Sequence, residues 1–184
     1  MWIREGTIMR HWYALQVRPK YERVVANALT SKGIETFLPV HEVQRRWRDR
    51  LRQSEDPLFP CYLFGRLDPL QRLPILVTPG VLSIVSYGTG PARIDDAEIQ
   101  AIQTIARSRL RAEPWPYLQI GDLVRIEKGP LAGLTGILVR VKSSCRLVVS
   151  ISLIQRSIAT EIDADTIGRP SRREDTQTSR TAGS

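Results

Sequence analysis

Few side chains in this 184-residue sequence are of the types that make and break bonds. There are two histidines, His11 and His41, and two cysteines, Cys61 and Cys145. The histidines form no HExxH pair, the cysteines form no CxxC, and no P-loop is present. Metal hydrolysis, thiolate zinc binding and phosphate cradling therefore have no local signature. Asp95 and Asp96 precede a run with helical periodicity and read as a helix start, not a metal-binding pair. The expectation is a protein that is not an enzyme and uses neither metal nor cofactor.

The sequence does offer binding chemistry. Gln44-Arg45-Arg46-Trp47-Arg48-Asp49-Arg50-Leu51-Arg52 sets five arginines around one tryptophan. Guanidinium groups pair with phosphates and an indole stacks on a base, so Arg45, Arg46, Arg48 and Arg50 are candidate nucleic-acid contacts. A solvated hairpin tip would carry the same residues. A formal net charge of +8 and an isoelectric point near 10.1 favour an anionic partner. The second candidate is the aromatic stretch Leu58-Phe59-Pro60-Cys61-Tyr62-Leu63-Phe64. One reading makes it a central strand covered on both faces. The other makes Phe59, Tyr62 and Phe64 anchors whose cover comes from another protein.

Several elements must position these groups. Residues 1–10 read as a loose leader and 11–17 as a strand. Pro19 suits a helix first turn, Val24, Val25, Ala28 and Leu29 recur at helical spacing, and Gly33 ends the helix. Residues 35–43 read as a strand leading into the basic hairpin. Cys61 to Phe64 read as a strand, with Cys61 and Leu63 on one face and Tyr62 and Phe64 on the other. A short helix is expected over 70–76 and a strand over 81–87. A helix capped by Asp95-Asp96 then buries Ile99, Ile102, Ile105, Ala106 and Leu110. The order β-α-β-β-α-β-α over 11–110 predicts an α+β fold, an α/β sandwich with an antiparallel sheet. Residues 111–118, with two prolines, read as an extended linker. Four short β-rich runs in 119–168 (123–126, 136–141, 147–153 and 157–162) predict a small β-barrel. Residues 169–184 are polar and expected to be disordered. No stretch approaches the ~20 apolar residues of a membrane span, and the start carries no signal-peptide core. A reducing cytoplasm is the expected location.

Trp12-Tyr13-Ala14-Leu15, the aromatic stretch and Thr78-Pro79-Gly80-Val81 resemble the N-terminal domain of NusG-type transcription elongation factors. Gly121-Asp122-Leu123-Val124-Arg125-Ile126 and Lys128-Gly129-Pro130-Leu131-Ala132-Gly133-Leu134-Thr135-Gly136 resemble the family's KOW motif, which sits on an SH3-like barrel. The two occur in the family's order. The Pro-Leu-Phe-Pro-x-Tyr-Leu-Phe wording and the basic hairpin resemble the specialised paralogues, antiterminators of long operons such as those for surface polysaccharides. Cys61 departs from the housekeeping pattern, which has glycine there.

The resemblance implies a monomeric elongation or antitermination factor. Its N-terminal domain would bind the clamp helices of RNA polymerase through Phe59, Tyr62, Phe64 and Tyr13, and suppress pausing or termination. Arg18, Lys20 and Arg23, at the start of the first helix, would contact the non-template DNA strand. In the KOW domain Leu131, Leu153 and Ile154 match positions that meet a ribosomal protein or Rho. Of Leu153 and Ile154, strand alternation would bury one, and Ile154 is the expected contact. The glycines and proline at 129–136 and the branched residues after them oppose a helical state of this domain. It is therefore expected to stay a barrel and to leave the polymerase site open. The alternative is a ribosome-associated KOW protein that binds RNA.

Overall fold

The structure is a computed structural model. It describes residues 10–47, 50–68, 70, 72–108, 110–118, 121–141 and 144–168, without the side chains of 45–47 and 50–52. The expected leader, apart from Arg10, and the expected tail lie outside the described residues.

The first sheet is built around β1 (His11–Val17), in which residues alternate between two apolar faces. β1 pairs antiparallel with β5 (Tyr62–Leu67) on one side and with β6 (Val81–Ile84) on the other. β2 (Glu35–Phe37) adds to β5, and β9 (Arg93–Ile94) also pairs β1. Tyr13, Leu15 and Val17 of β1, with Leu63 and Leu67, pack under Val25 and Leu29 of α1 (Glu22–Ser31) and Ile75 of α2 (Leu73–Leu76). On the other face Trp12, Ala14 and Phe64 pack with Leu58, Phe59 and Ile99, Ile102 and Ile105 of α3 (Asp96–Arg107). Each such fully buried side chain contributes about 1.5–3 kcal/mol, so the sheet holds because both faces are covered. Asp95 caps α3 as expected, its side chain accepting from the Ala97 N–H at 2.9 Å. The buried stripe of α3 is shorter than expected: Ala106 is exposed, and Leu110 lies beyond the helix.

Between β2 and β5 runs a two-stranded ribbon, β3 (Val40–Trp47) and β4 (Arg50–Pro57), paired from Val40–Pro57 out to Trp47–Arg50. The strand expected over 35–43 is broken because Pro39 has no N–H for a ladder. Its carbonyl instead accepts from the Leu58 N–H at 2.9 Å. The expected 70–76 helix shrinks to α2, with Pro74 in its first turn and only Ile75 buried. A small hairpin, β7 (Ser86–Tyr87) with β8 (Gly90–Pro91), precedes β9.

The second sheet has the order β10-β14-β13-β12-β11. Its strands are β10 (Ala112–Trp115), β11 (Asp122–Arg125), β12 (Thr135–Val141), β13 (Ser144–Ile151) and β14 (Arg156–Ile162). β10 lies in the stretch read as a linker. It pairs β14 as an edge strand, where Pro114, lacking an N–H, is tolerated. The sheet curls until Ile126 bridges Ile167, with Glu127 N–H to Thr166 O and Gly168 N–H to Arg125 O, each 2.9 Å. Val124, Ile126, Leu131, Leu147, Val149, Ile151 and Ile158 fill the barrel, in one continuous apolar cluster with α3 and the first sheet. The fold is the expected α+β arrangement, an antiparallel sandwich followed by a small barrel.

Candidate functional site

The aromatic stretch enters β5 through a tight turn. The Tyr62 N–H donates to the Phe59 carbonyl at 3.0 Å, and the Val17 N–H to the Cys61 carbonyl at 2.9 Å. Cys61 is not in the strand: its φ of 67° is in the left-handed region, where a β-carbon is unfavourable and glycine is at ease. This is the physical reason a glycine would suit the position.

Phe59 and Phe64 are brought together edge to face, centroids 5.5 Å apart at 82°, and Phe37 lies 6.2 Å from Phe64. Both are buried, Phe59 at 1% and Phe64 at 0% exposure, whereas Tyr62 is only partly covered. Tyr13 is not part of this group. It lies on the opposite face of β1, under α1 and α2, and is also buried. Burial pushes its phenol pKa above the ordinary 10.0, with Asp68 adding to the rise and Arg93 opposing it. Of the four aromatic candidates, Tyr62 alone is not fully buried.

The basic residues fall into two groups. Arg18 and Lys20 are exposed in the turn between β1 and α1, with Lys20 at a φ of 68°. Arg23, also exposed, forms an ion pair with Glu55 on β4, a partner that sequence reasoning missed because the two are far apart in the chain. The ribbon carries the second group: Arg45 and Arg46 on β3 and Arg50 on β4, their side chains outside the described residues, as is Arg48 altogether. The ribbon register sets Arg45 opposite Arg52.

In the barrel Leu131 is a core residue, 1% exposed, in the turn held by Gly133 N–H to Ile126 O at 2.7 Å. Gly129 and Gly133, at φ 84° and 87°, make that turn possible. Leu153 and Ile154 lie in a 3-10 turn, Ser152–Ile154, not a strand, so alternation does not separate them. Both are partly buried. The barrel rests on the outer side of α3, where Glu98 Oε1 accepts from the Ser152 N–H at 3.2 Å. Ala97 and Ala101 of α3 face Tyr117, Ile137, Val148 and Ser150 across a cleft of about 480 Å³. Phe59 and Phe64 thus pack in one apolar cluster with α3, and the barrel meets α3 at Glu98. No helix of the described residues is long and apolar enough to cross a membrane.

Four findings relate this architecture to known proteins. The NusG family model, "Transcription termination factor nusG", matches residues 10–103. "Transcription termination/antitermination protein NusG" of Pseudomonas aeruginosa is 28% identical over 169 residues, covering 84% of this chain and 95% of the relative. The protein of that name from Escherichia coli K12 is 28% identical over 171 residues, covering 84% and 93%. The solved structure "Domain interaction in Thermotoga maritima NusG" matches with a TM-score of 0.56, over 88% of this chain and 98% of that one, and at 21% identity the likeness is one of fold. The matched residues hold the first sheet, both faces of its core, the ribbon and the aromatic turn, and the chain belongs to the NusG family.

Proposed function

We propose that this chain is a transcription elongation and antitermination factor, a binding protein that makes and breaks no bond, working in the cytoplasm as a monomer. The observation that carries the reading is the family match across residues 10–103, which spans the aromatic turn and the basic ribbon. The relatives named for termination and antitermination align along most of both chains, so the whole architecture, not one motif, is shared.

In this reading the N-terminal unit docks on the clamp helices of RNA polymerase. Tyr62 is the first point of contact, and Phe59 and Phe64 form the floor beneath it. Arg18 and Lys20, with the ribbon arginines Arg45, Arg46, Arg48 and Arg50, follow the non-template strand. Arg23 is tied to Glu55 and contributes less. Tyr13 supports the site from the far face of the sheet. The barrel then recruits a ribosomal protein or Rho through the 3-10 turn bearing Leu153 and Ile154, with Leu131 holding the adjoining core. The basic ribbon and the Cys61 turn favour a specialised paralogue.

A single-round transcription assay over a pausing template, with purified core polymerase, tests this. The protein should shorten pauses and co-purify with polymerase. Co-purification with ribosomes alone, and no effect on elongation, would overturn the proposal in favour of a ribosome-associated KOW protein.

A further inference from the structure

Glu22, the first residue of α1, is buried at 5% exposure, although a carboxylate is ordinarily left in water. Its Oε1 accepts the backbone N–H of Cys61 at 2.9 Å, across 39 residues of chain. Cys61 is the turn residue held at a φ of 67°. The next residue of the helix, Arg23, pairs with Glu55. Two consecutive side chains of α1 therefore hold both ends of the segment 55–61, which carries Leu58 and Phe59 and delivers Tyr62. They are not equal. The Arg23–Glu55 pair is about half exposed on each side, and such pairs contribute little. The Glu22 contact is part-buried and charge-assisted.

We propose that Glu22 is the positioning residue of the polymerase-docking turn, a role that rests on the docking reading above. A non-glycine residue in the left-handed region is held there only by its surroundings. Here the Glu22 carboxylate holds the peptide entering Cys61 while the Val17 N–H holds the Cys61 carbonyl, and the side-chain contact so helps set the direction in which Tyr62 leaves the turn. The same helix turn follows Arg18 and Lys20, so the DNA-facing and polymerase-facing parts of the domain share one rigid joint. Glu22 touches no partner itself.

The test uses the full chain with Glu22→Ala, Glu22→Gln, Cys61→Gly and the Glu22→Ala/Cys61→Gly pair. Tyr62→Ala serves as the docking control. Amide exchange by nuclear magnetic resonance reads the turn without polymerase. In Glu22→Ala, Cys61 N–H exchange should quicken by about tenfold or more, the loss of a bond to a charged acceptor. In Glu22→Gln, whose carbonyl still accepts, it should quicken by about threefold or less. Binding to core polymerase should weaken about tenfold in Glu22→Ala. Cys61→Gly should restore most of this in the double variant, because glycine takes the left-handed conformation unaided. A helix merely weakened by losing Glu22 would not be rescued. Unchanged Cys61 exchange in Glu22→Ala overturns the proposal. So does quickened exchange with full polymerase binding, or a failed rescue, when Tyr62→Ala does weaken binding. If Tyr62→Ala binds normally, the docking reading falls, and the proposal that Glu22 positions a docking turn falls with it. The exchange data then report on the turn alone.

Discussion

Replacing Phe59 and Tyr62 one at a time separates a core ring from a contact ring within four residues. Phe59 is 1% exposed and meets Phe64 edge to face at 5.5 Å. Phe59→Ala should cost about 3–5 kcal/mol of stability, with the ring pair accounting for about 0.5–1.5 of it. For a chain of this size 1 kcal/mol moves the melting temperature by about 2–4 °C, so a fall of roughly 6–20 °C is expected. Tyr62 is only partly covered, so Tyr62→Ala should melt much closer to wild type. Its cost should appear instead in polymerase binding, about 2 kcal/mol or more, which is roughly thirtyfold in affinity. Calorimetry and a binding titration on the same preparations read both quantities. A Phe59→Ala protein that melts within a degree or two of wild type refutes the packing argument. A Tyr62→Ala protein that melts and binds like wild type refutes the contact argument.

Arg18→Gln and Lys20→Gln should each flatten the log–log salt dependence of single-stranded DNA binding by about 0.7, and Arg23→Gln by clearly less because Glu55 already engages it. Equal changes for all three would mean that the ion pair opens on binding. Gly136→Ala places a β-carbon 2.7 Å from the Val148 carbonyl and 2.9 Å from Leu147 Cδ1, and should destabilise the barrel by about 1–3 kcal/mol in urea unfolding. A neutral result would show that the β12–β13 pair yields easily. The raised pKa of Tyr13 favours the neutral phenol in the folded state. Its contribution to stability is whole below the unfolded value near 10 and is lost as pH climbs toward the folded one. Ultraviolet titration of Tyr13→Phe should remove a late-titrating phenol, and loss of an early one would contradict this.

Much of the fold could be read from local pattern. β1, α1 and the capped α3 stand where alternation, helical spacing and Asp95 place them. Some failures were local, as at Pro39 and Cys61, and others came from partners distant in sequence. Ala112–Trp115 is a strand only because β14 offers it a ladder. Leu153 left its strand because Ser152–Ile154 turns over Glu98 of α3. The aromatic stretch was hardest, since a run apolar on both faces gives no sign of which cover is internal. Phe59 and Phe64 proved to be under α3 and Tyr62 at the edge. Glu22 carried one faint signal, an acidic residue in a helix first turn, and its real partner is 39 residues away.

The ribbon has a mechanical consequence. The Trp47–Arg50 rung lies five rungs beyond the Glu42–Glu55 rung that Arg23 grips, a lever arm of roughly 17 Å at about 3.4 Å per residue. A tilt of about 10° at the grip swings the far end by about 3 Å, the length of a hydrogen bond. The grip is an exposed ion pair and yields to modest force. On the proposed DNA-binding reading, the Arg23–Glu55 grip would set the aim of the arm, and the aim would matter as much as the number of charges it carries.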